Sequence, residues 1–348
     1  MKTNRLGRTG ITVSNYGLGT MTWGTQTGTR TAHAQIDAAM DRGINFIDTA
    51  EIYPMDPIKS ETLGRTERII GLWLDNARGK RSDIIIATKH AGQGMRMVRN
   101  GAPISAQTIR EAVEGSLRRM KTDYIDLYQF HWPNRGTYHY RRNWSAEARK
   151  ADPRKIIDNM AQCLEALEAE RKRGTIRAFG LSNETTWGAA KWLALADERN
   201  APRPVTIQNE YSLLCRSFDT DLAELSLHED LGLIANAPLA AGLLTGKYQG
   251  RAVPKGSRME RMPDLNTRAT PRAFAAVDDY MDVAFKHNLD PVQMALAWVA
   301  ARPFVTTTVV GTRNAEQLQR VLNGLELELE EEVLKDIDLV HQDHPLPY

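Results

Sequence analysis

The sequence predicts a (β/α)8 barrel with an N-terminal extension and a C-terminal helical segment, and three observations carry that prediction. Apolar runs of strand length recur along the whole of the 348 residues. Segments with helical periodicity separate the runs, and strands alternating with helices imply right-handed βαβ crossovers and a parallel sheet. The chain is also about a hundred residues longer than the ~250 typical of such a barrel, which leaves room for an extension, long loops and a closing segment.

The eight runs are, in order, "NYGLG" (15–19), "INFI" (44–47), "IIIAT" (84–88), "IDLYQF" (125–130), "IRAFGLS" (176–182), "VTIQ" (205–208), "LGLIA" (231–235) and "TTTVV" (306–310). Helical periodicity is plain in "AQTIREAVEGSLRRMK" (106–121), where Ile109, Val113, Leu117 and Met120 share a face, and in 156–174, which closes at Gly174. The longest insertions, 132–155 after the fourth run and 249–271 after the seventh, are expected on the barrel's active face. "MALAWVAARPF" (294–304) reads as core, and the acidic, amphipathic 325–342 as a helix packed across the barrel's outside. No linker or composition shift divides the chain, so residues 1–348 are expected to form a single domain.

With 42% hydrophobic and 25% charged residues the chain fits a globular protein with a sizeable core. A net charge of only +2 gives no global field for nucleic acid or membrane, so any anionic ligand must be met locally. The start "MKTNRLGRTGITVS" lacks the apolar region of a signal peptide, and no run approaches the ~18 apolar residues of a membrane span. The expectation is a cytoplasmic protein with a small-molecule partner. Cys163 and Cys215 read as reduced thiols, and nothing in the sequence fixes an oligomeric state.

In this fold the chemistry sits at the carboxyl ends of the strands. The residues there are Thr20, Asp48, Lys89, His131, Asn183, Gln208, Asn236 and Gly311, almost all polar although each closes a buried-type run. Singly, a lysine after a strand is an ordinary loop residue and a histidine an ordinary structural one. Adjacency of the second, third and fourth strands changes this, because it sets Asp48, Lys89 and His131 side by side with Tyr53 on the second loop. A carboxylate, an ammonium, an imidazole and a phenol at one mouth suit protonation of an oxygen on which negative charge develops. Tyrosine has a reference pKa of ~10, and the expectation is that Lys89 stabilises the phenolate, Asp48 holds Lys89 charged, and His131 donates a second hydrogen bond.

Rival motifs are weaker. "GLGTMTWG" lacks the third glycine of a dinucleotide-binding turn, since Thr22 stands there, and "GLLTGKY" has the wrong spacing for a P-loop. His341 and His344 have no ligand set for zinc, and a metal-dependent hydrolase using Asp48 and His131 is the distant rival.

At these positions the chain resembles the aldo-keto reductases. The resemblance runs from "LGRTGITVSNYGLGTMTWG" (6–24) through "GINFIDTAEIYP", "IIIATKH", "TDYIDLYQFHWP" and "GTIRAFGLSN" to "VVGTRNAEQL" (309–318), essentially the whole chain. Within the family it is similar to the bacterial branch akin to potassium-channel β subunits, on "GLGTMTWG", "SLLCRSF" and "GLLTGKY". The resemblance implies NADPH-dependent reduction of an aldehyde or ketone to an alcohol. Hydride passes from C4 of the nicotinamide, Tyr53 protonates the alkoxide, Lys89 and Asp48 tune it, His131 orients the carbonyl, and no metal takes part. It places Thr20, Met21 and Asp48 near the cofactor, Ser182, Asn183 and Gln208 on the nicotinamide amide, and Lys247, Arg258 and Arg313 on the phosphates and adenosine, with Gln317 near the adenine. Asn236, Pro238, Leu239 and Gly311 complete the cofactor set. A basic clamp favours the extra 2′-phosphate of NADP over NAD.

Trp23 and Trp132, with Tyr53 and His131, are expected to line the substrate pocket. The loop after His131 carries Trp132, Tyr138, Tyr140 and Trp144 among Arg135, Arg141, Arg142 and Arg149, and reads equally as a pocket for a planar or anionic carbonyl compound, an oligomer contact or a solvated basic loop. The chain departs from the family at "ANAPLAAG" (235–242): Asn236 stands where an aromatic ring stacks on the nicotinamide, and Ala237 replaces a phosphate-binding serine. Val321 replaces an asparagine common near the adenine. A second reading therefore stands beside the reductase: a nicotinamide-binding regulatory or sensor protein with weak or vestigial reductase activity.

Overall fold

The computed structural model describes residues 1–76, 81–142, 145 and 150–348. Its first two strands, β1 (Thr3–Arg5) and β2 (Thr12–Ser14), form an antiparallel hairpin. Eight further strands close into a parallel barrel: β3 (Tyr16–Gly19), β4 (Phe46–Asp48), β5 (Ile85–His90), β6 (Ile125–Phe130), β7 (Ile176–Ser182), β8 (Thr206–Glu210), β9 (Gly232–Asn236) and β10 (Val305–Gly311). They run in chain order around the ring, with β10 pairing back onto β3. All eight runs read from the sequence are barrel strands, and the predicted (β/α)8 architecture holds.

The helices are α1 (Thr29–Asp41), α2 (Arg65–Asp75), α3 (Ala106–Met120), α4 (Pro153–Lys172), α5 (Thr186–Glu198), α6 (Asp221–Glu229), α7 (Arg258–Arg261), α8 (Pro271–Lys286), α9 (Pro291–Ala300), α10 (Ala315–Leu322) and α11 (Glu331–Asp343). Local chemistry sets their ends. At α3 the Ser105 side chain accepts from the Thr108 backbone N–H, while the Thr108 hydroxyl accepts from Ser105 N–H, a reciprocal cap. Helix α4 starts three residues earlier than the periodicity alone predicts, because Asp152 caps it and Pro153 fits the first turn, where no N–H is needed. Helix α9 is buried from Met294 to Val299, as the core reading expects, since it packs on β10 and between α8 and α10, whereas Ala301 and Pro303 beyond it are exposed. The acidic segment forms α11, which buries Val333, Ile337 and Val340 and packs on α8.

Inside the barrel, side chains alternate between the interior and the helix layer, as the period of a strand requires. Phe46, Ile85, Leu127, Ile234 and Val309 fill the interior, and Leu6, Ile11 and Val13 of the hairpin segment join the same cluster. The N-terminal extension thus plugs one end of the barrel. Gly17 is required by this packing: a Cβ there would lie 2.7 Å from Phe46 Cδ1. Among the described residues no helix is long and apolar enough to cross a membrane. Cys163 is buried, Cys215 half-buried, and both are free.

Candidate active site

Strand parity carries the interior from apolar to polar. Two residues beyond Phe46 comes Asp48; beyond Ala87, Lys89; beyond Leu127, Gln129 and then His131; beyond Thr206, Gln208; beyond Ile234, Asn236. The same alternation that packs the core therefore aims these polar groups into the open end. Lys89 and Gln208 lie within β5 and β8, not after them, because both strands run past the apolar stretch to His90 and Glu210.

Asp48 and Lys89 form a fully enclosed ion pair. Lys89 Nζ donates to Asp48 Oδ2 at 2.6 Å and to the Thr49 carbonyl at 2.8 Å, and the lysine side chain is 0% exposed. Asp48 Oδ1 accepts from Gln208 Nε2 at 2.8 Å and from Gln129 Nε2 at 3.4 Å. Burial pulls the Lys89 ammonium below its ordinary range, and the Asp48 carboxylate opposes that pull. Thr20 supports the pair from β3's end, its hydroxyl donating to the Asp48 carbonyl at 2.8 Å.

Tyr53 comes from the loop after β4 and packs with Ala50, Ile52 and Ala91, flanked by Met21, Met55, Met95, Val98 and Trp132. Lys89 Nζ lies 5.0 Å from the centre of its ring, within cation–π range, but its described hydrogen bonds go to Asp48 and Thr49. Burial first, and the Asp48 charge second, raise the Tyr53 phenol above its usual value, with Arg258 opposing. The expected lowering of Tyr53 by Lys89 is thus not found in this structure: burial and the Asp48 charge prevail, and the phenol keeps its proton. His131 stands edge-on to Tyr53, ring centres 5.8 Å apart. Burial and the Lys89 charge hold its imidazole well below the ordinary range, so it is neutral, and its Nδ1 is buried without a hydrogen-bond partner.

Asn183, with φ 51°, turns its amide back under this group. Its Nδ2 faces three acceptors: the His131 carbonyl at 2.9 Å, the Tyr140 hydroxyl at 3.0 Å and Ser182 Oγ at 3.1 Å. Ser182 Oγ donates to the Gln208 carbonyl at 2.8 Å. Trp132 lies 5.0 Å from His131, its indole N–H donating to the Gln93 carbonyl at 3.1 Å.

Beyond the mouth, between β9, α7 and β10, cations gather. Burial and then Arg313, Arg258, Arg320 and Arg261 lower the Lys247 ammonium. Two carboxylates meet this cluster: Asp56, 3.1 Å from Arg261 Nη2 and 3.8 Å from Arg258 Nε, and Asp290, 2.7 Å from Arg320 Nε. Arg258 Nε is itself buried with no hydrogen-bond partner. Arg313 donates to the Gly256 carbonyl, and its backbone N–H to Gln317 Oε1 at 2.9 Å. A buried guanidinium nitrogen without an acceptor, beside an ammonium depressed by four guanidiniums, is a donor set that fits a polyanion. Asn236, Pro238 and Leu239 lead from β9 towards this cluster through a backbone with positive φ at Ala237, Ala240 and Ala241. Gly311 ends β10 on its other side.

Two further readings of the sequence change. Trp23 does not line the pocket: it is 0% exposed, and its indole donates to Gln35 on α1 at 3.1 Å. The basic loop after β6 is not a set of free cations. Arg135 donates to Glu184 at 3.0 Å and Arg141 to Glu210 at 2.6 Å, so both charges are neutralised; Trp144 and Arg149 lie outside the described residues. Val321, where the resemblance would place an asparagine, is buried in the core. Gln129 was missed, although its parity with Leu127 and His131 was available in the sequence. Among the described residues no three His, Cys, Asp or Glu side chains gather as a metal ion requires.

Fold and site together define an α/β barrel of the kind that carries its chemistry at the carboxyl ends of the strands, here with a buried acid–lysine pair under a phenol and a neutral imidazole. The chain belongs to the aldo/keto reductase family, whose model matches residues 15–342. Protein tas of Escherichia coli K12 is 42% identical over 353 aligned residues, covering 100% of this chain and 99% of that protein. The uncharacterized oxidoreductase YrpG of Bacillus subtilis is 33% identical, covering 96% of this chain and 94% of its own. A probable voltage-gated potassium channel subunit beta of rice is 28% identical over 99% of this chain and 98% of that one. Family membership supports an oxidoreductase that uses a nicotinamide cofactor.

Proposed function

We propose that this protein reduces an aldehyde or ketone to the alcohol with NADPH. The observation that carries the reading is the enclosed Asp48–Lys89 pair beneath a protonated Tyr53 and a neutral His131. Bound in the mouth, the reduced nicotinamide would supply the hydride. Ser182, Asn183 and Gln208 are the groups within the mouth to hold its amide, with Thr20 and Met21 beside them. Lys247, Arg258 and Arg313 would take the phosphates, and an excess of cations over carboxylates favours the 2′-phosphorylated form.

The protein's own part is proton supply and orientation. Tyr53 keeps its proton at rest because burial and Asp48 disfavour the phenolate. As negative charge grows on the carbonyl oxygen, the phenol gives that oxygen its proton, and the nearby Lys89 ammonium stabilises the phenolate left behind. Asp48, anchored by Gln208 and Gln129, keeps the ammonium charged between turnovers. A neutral His131 with its proton on the nitrogen facing the mouth donates to the same oxygen.

The test is NADPH oxidation with simple aromatic aldehydes. Loss of a positioned general acid costs about 10²–10⁴-fold, so Tyr53→Phe should lower kcat by that factor; full activity in the variant would sink the assignment. A second reading is favoured by the relatives named as channel β subunits and by Asn236 at the stacking position: nicotinamide sensing with vestigial turnover. Tight cofactor binding with negligible oxidation across a carbonyl panel would select it.

A further inference from the structure

Tyr140 and Arg141 are consecutive non-glycine residues with φ of 58° and 61°, a conformation that persists only where surroundings enforce it. The enforcement is visible. Arg141 Nη1 donates to Glu210 Oε2 at 2.6 Å and its Nε to the Asn266 carbonyl at 2.5 Å. Glu210 Oε1 accepts from Arg268 Nε at 2.8 Å and from the Tyr348 hydroxyl at 3.0 Å. The partner segment is equally constrained, with positive φ at Leu265, Asn266 and Thr267. One half-buried carboxylate at the end of β8 thus locks two strained loops and Tyr348 together.

What the lock presents to the mouth is the Tyr140 phenol. Its oxygen accepts from Asn183 Nδ2, the nitrogen that also holds the His131 carbonyl, and its ring meets Trp132 edge-on at 6.3 Å. Asn183 is a donor in that contact, so the phenolic hydrogen stays available. Arg135 and Arg141 of this loop are already spent on carboxylates, and the group set beside Asn183 is the neutral Tyr140 hydroxyl.

We propose that Tyr140 is a specificity-determining residue of this mouth, donating its phenolic hydrogen to a second, uncharged oxygen on the carbonyl substrate, and that Glu210, through Arg141, is the residue that positions it. The favoured class is neutral carbonyl compounds bearing a hydroxyl or second carbonyl oxygen. This rests on the reductase reading of the same site and deepens it.

The experiment compares kcat/KM for glycolaldehyde and propanal, which differ by a hydroxyl in place of a methyl, with NADPH as reductant. Tyr140→Phe should lower the glycolaldehyde-to-propanal ratio about five- to tenfold, the worth of one neutral hydrogen bond. Glu210→Gln should lower the ratio similarly, through KM more than kcat, and should add little in the Tyr140→Phe background. If Glu210→Gln does not fold, Arg141→Gln takes its place in the cycle. An unchanged ratio in Tyr140→Phe, or effects of the two substitutions that simply add, overturns this inference alone. Absence of NADPH oxidation by the wild-type chain with these aldehydes and with aromatic ones removes the reductase reading itself, and this inference with it.

Discussion

Replacing Asp48 by Asn tests the buried pair without presuming any reaction. The asparagine keeps the shape, and its carboxamide oxygen still accepts from Gln208 and Gln129, but its NH2 group then faces the Lys89 ammonium, which is left with the Thr49 carbonyl alone. Removing one partner from a buried ion pair costs about 3–5 kcal/mol. At about 2.1 cal/mol/K per residue, 348 residues unfold with an entropy near about 0.7 kcal/mol/K, so Tm should fall by about 4–7 °C. Lys89→Met leaves a carboxylate that retains two amide donors and should cost less, about 1–3 kcal/mol. In the double variant neither charge is stranded, so its loss should be smaller than the sum of the singles by about 2 kcal/mol. Urea unfolding of all four proteins at pH 7.5 measures the cycle. The sign with pH follows from Lys89, whose folded pKa lies below the ordinary 10.5. Between those two values the unfolded chain binds the extra proton, so stability rises with pH there, and Asp48→Asn should widen the window downward. Additive losses within about 0.5 kcal/mol would refute the pairing.

Acid should destabilise the fold before its carboxylates titrate. Burial holds His90 and His139 down at about 4 against an ordinary 6.5, and His131 is lowered as well. The unfolded chain therefore takes up protons that the native state refuses as pH falls from 6.5 towards 4, at roughly 2 kcal/mol for each of the first two by pH 5; a urea midpoint flat from pH 7 to 5 would contradict this. Lys247→Met should separate binding from stability. Removing a half-buried ammonium from among four guanidiniums should raise Tm by about 1 °C, while weakening NADPH binding about tenfold and flattening its salt dependence; unchanged affinity by fluorescence titration would remove Lys247 from the phosphate site.

The strands were legible because parallel barrel strands are buried on both faces and read as nearly continuous apolar runs. The interior polar ring was legible for the same reason, since a polar residue closing such a run has only the mouth to face. Tyr53 needed the neighbouring strands before it meant anything. Other features are tertiary and have no local signal. The β1–β2 pair is too short and too polar to stand out, at three residues per strand. Trp23 sits beside the site in sequence, yet Gln35 on α1 draws its indole into the core. Arg141 and Glu210 are 69 residues apart, and nothing at either position announces the other.

Those pairings explain why a basic loop could be mistaken for an anion site. Asp48 apart, these carboxylates lie on a strand end or just beyond it, and an arginine reaches each from a long loop: Glu51 with Arg99, Glu184 with Arg135, Glu210 with Arg141 and Arg268. Pairs this buried recover little net stability, because desolvation offsets most of their attraction. They do make loop placement specific, since an arginine drawn off its carboxylate leaves two uncompensated charges. Cations in this protein thus fall into two kinds. Arg99, Arg135, Arg141 and Arg268 are neutralised and act as struts. Lys247 has only guanidiniums among the charges that shift it, and Arg258 meets a carboxylate only at long range, its Nε 3.8 Å from Asp56 Oδ2. An unbalanced field is costly to hold in a protein's unliganded form, so it marks where a polyanion is expected, more surely than the count of basic residues along the chain does.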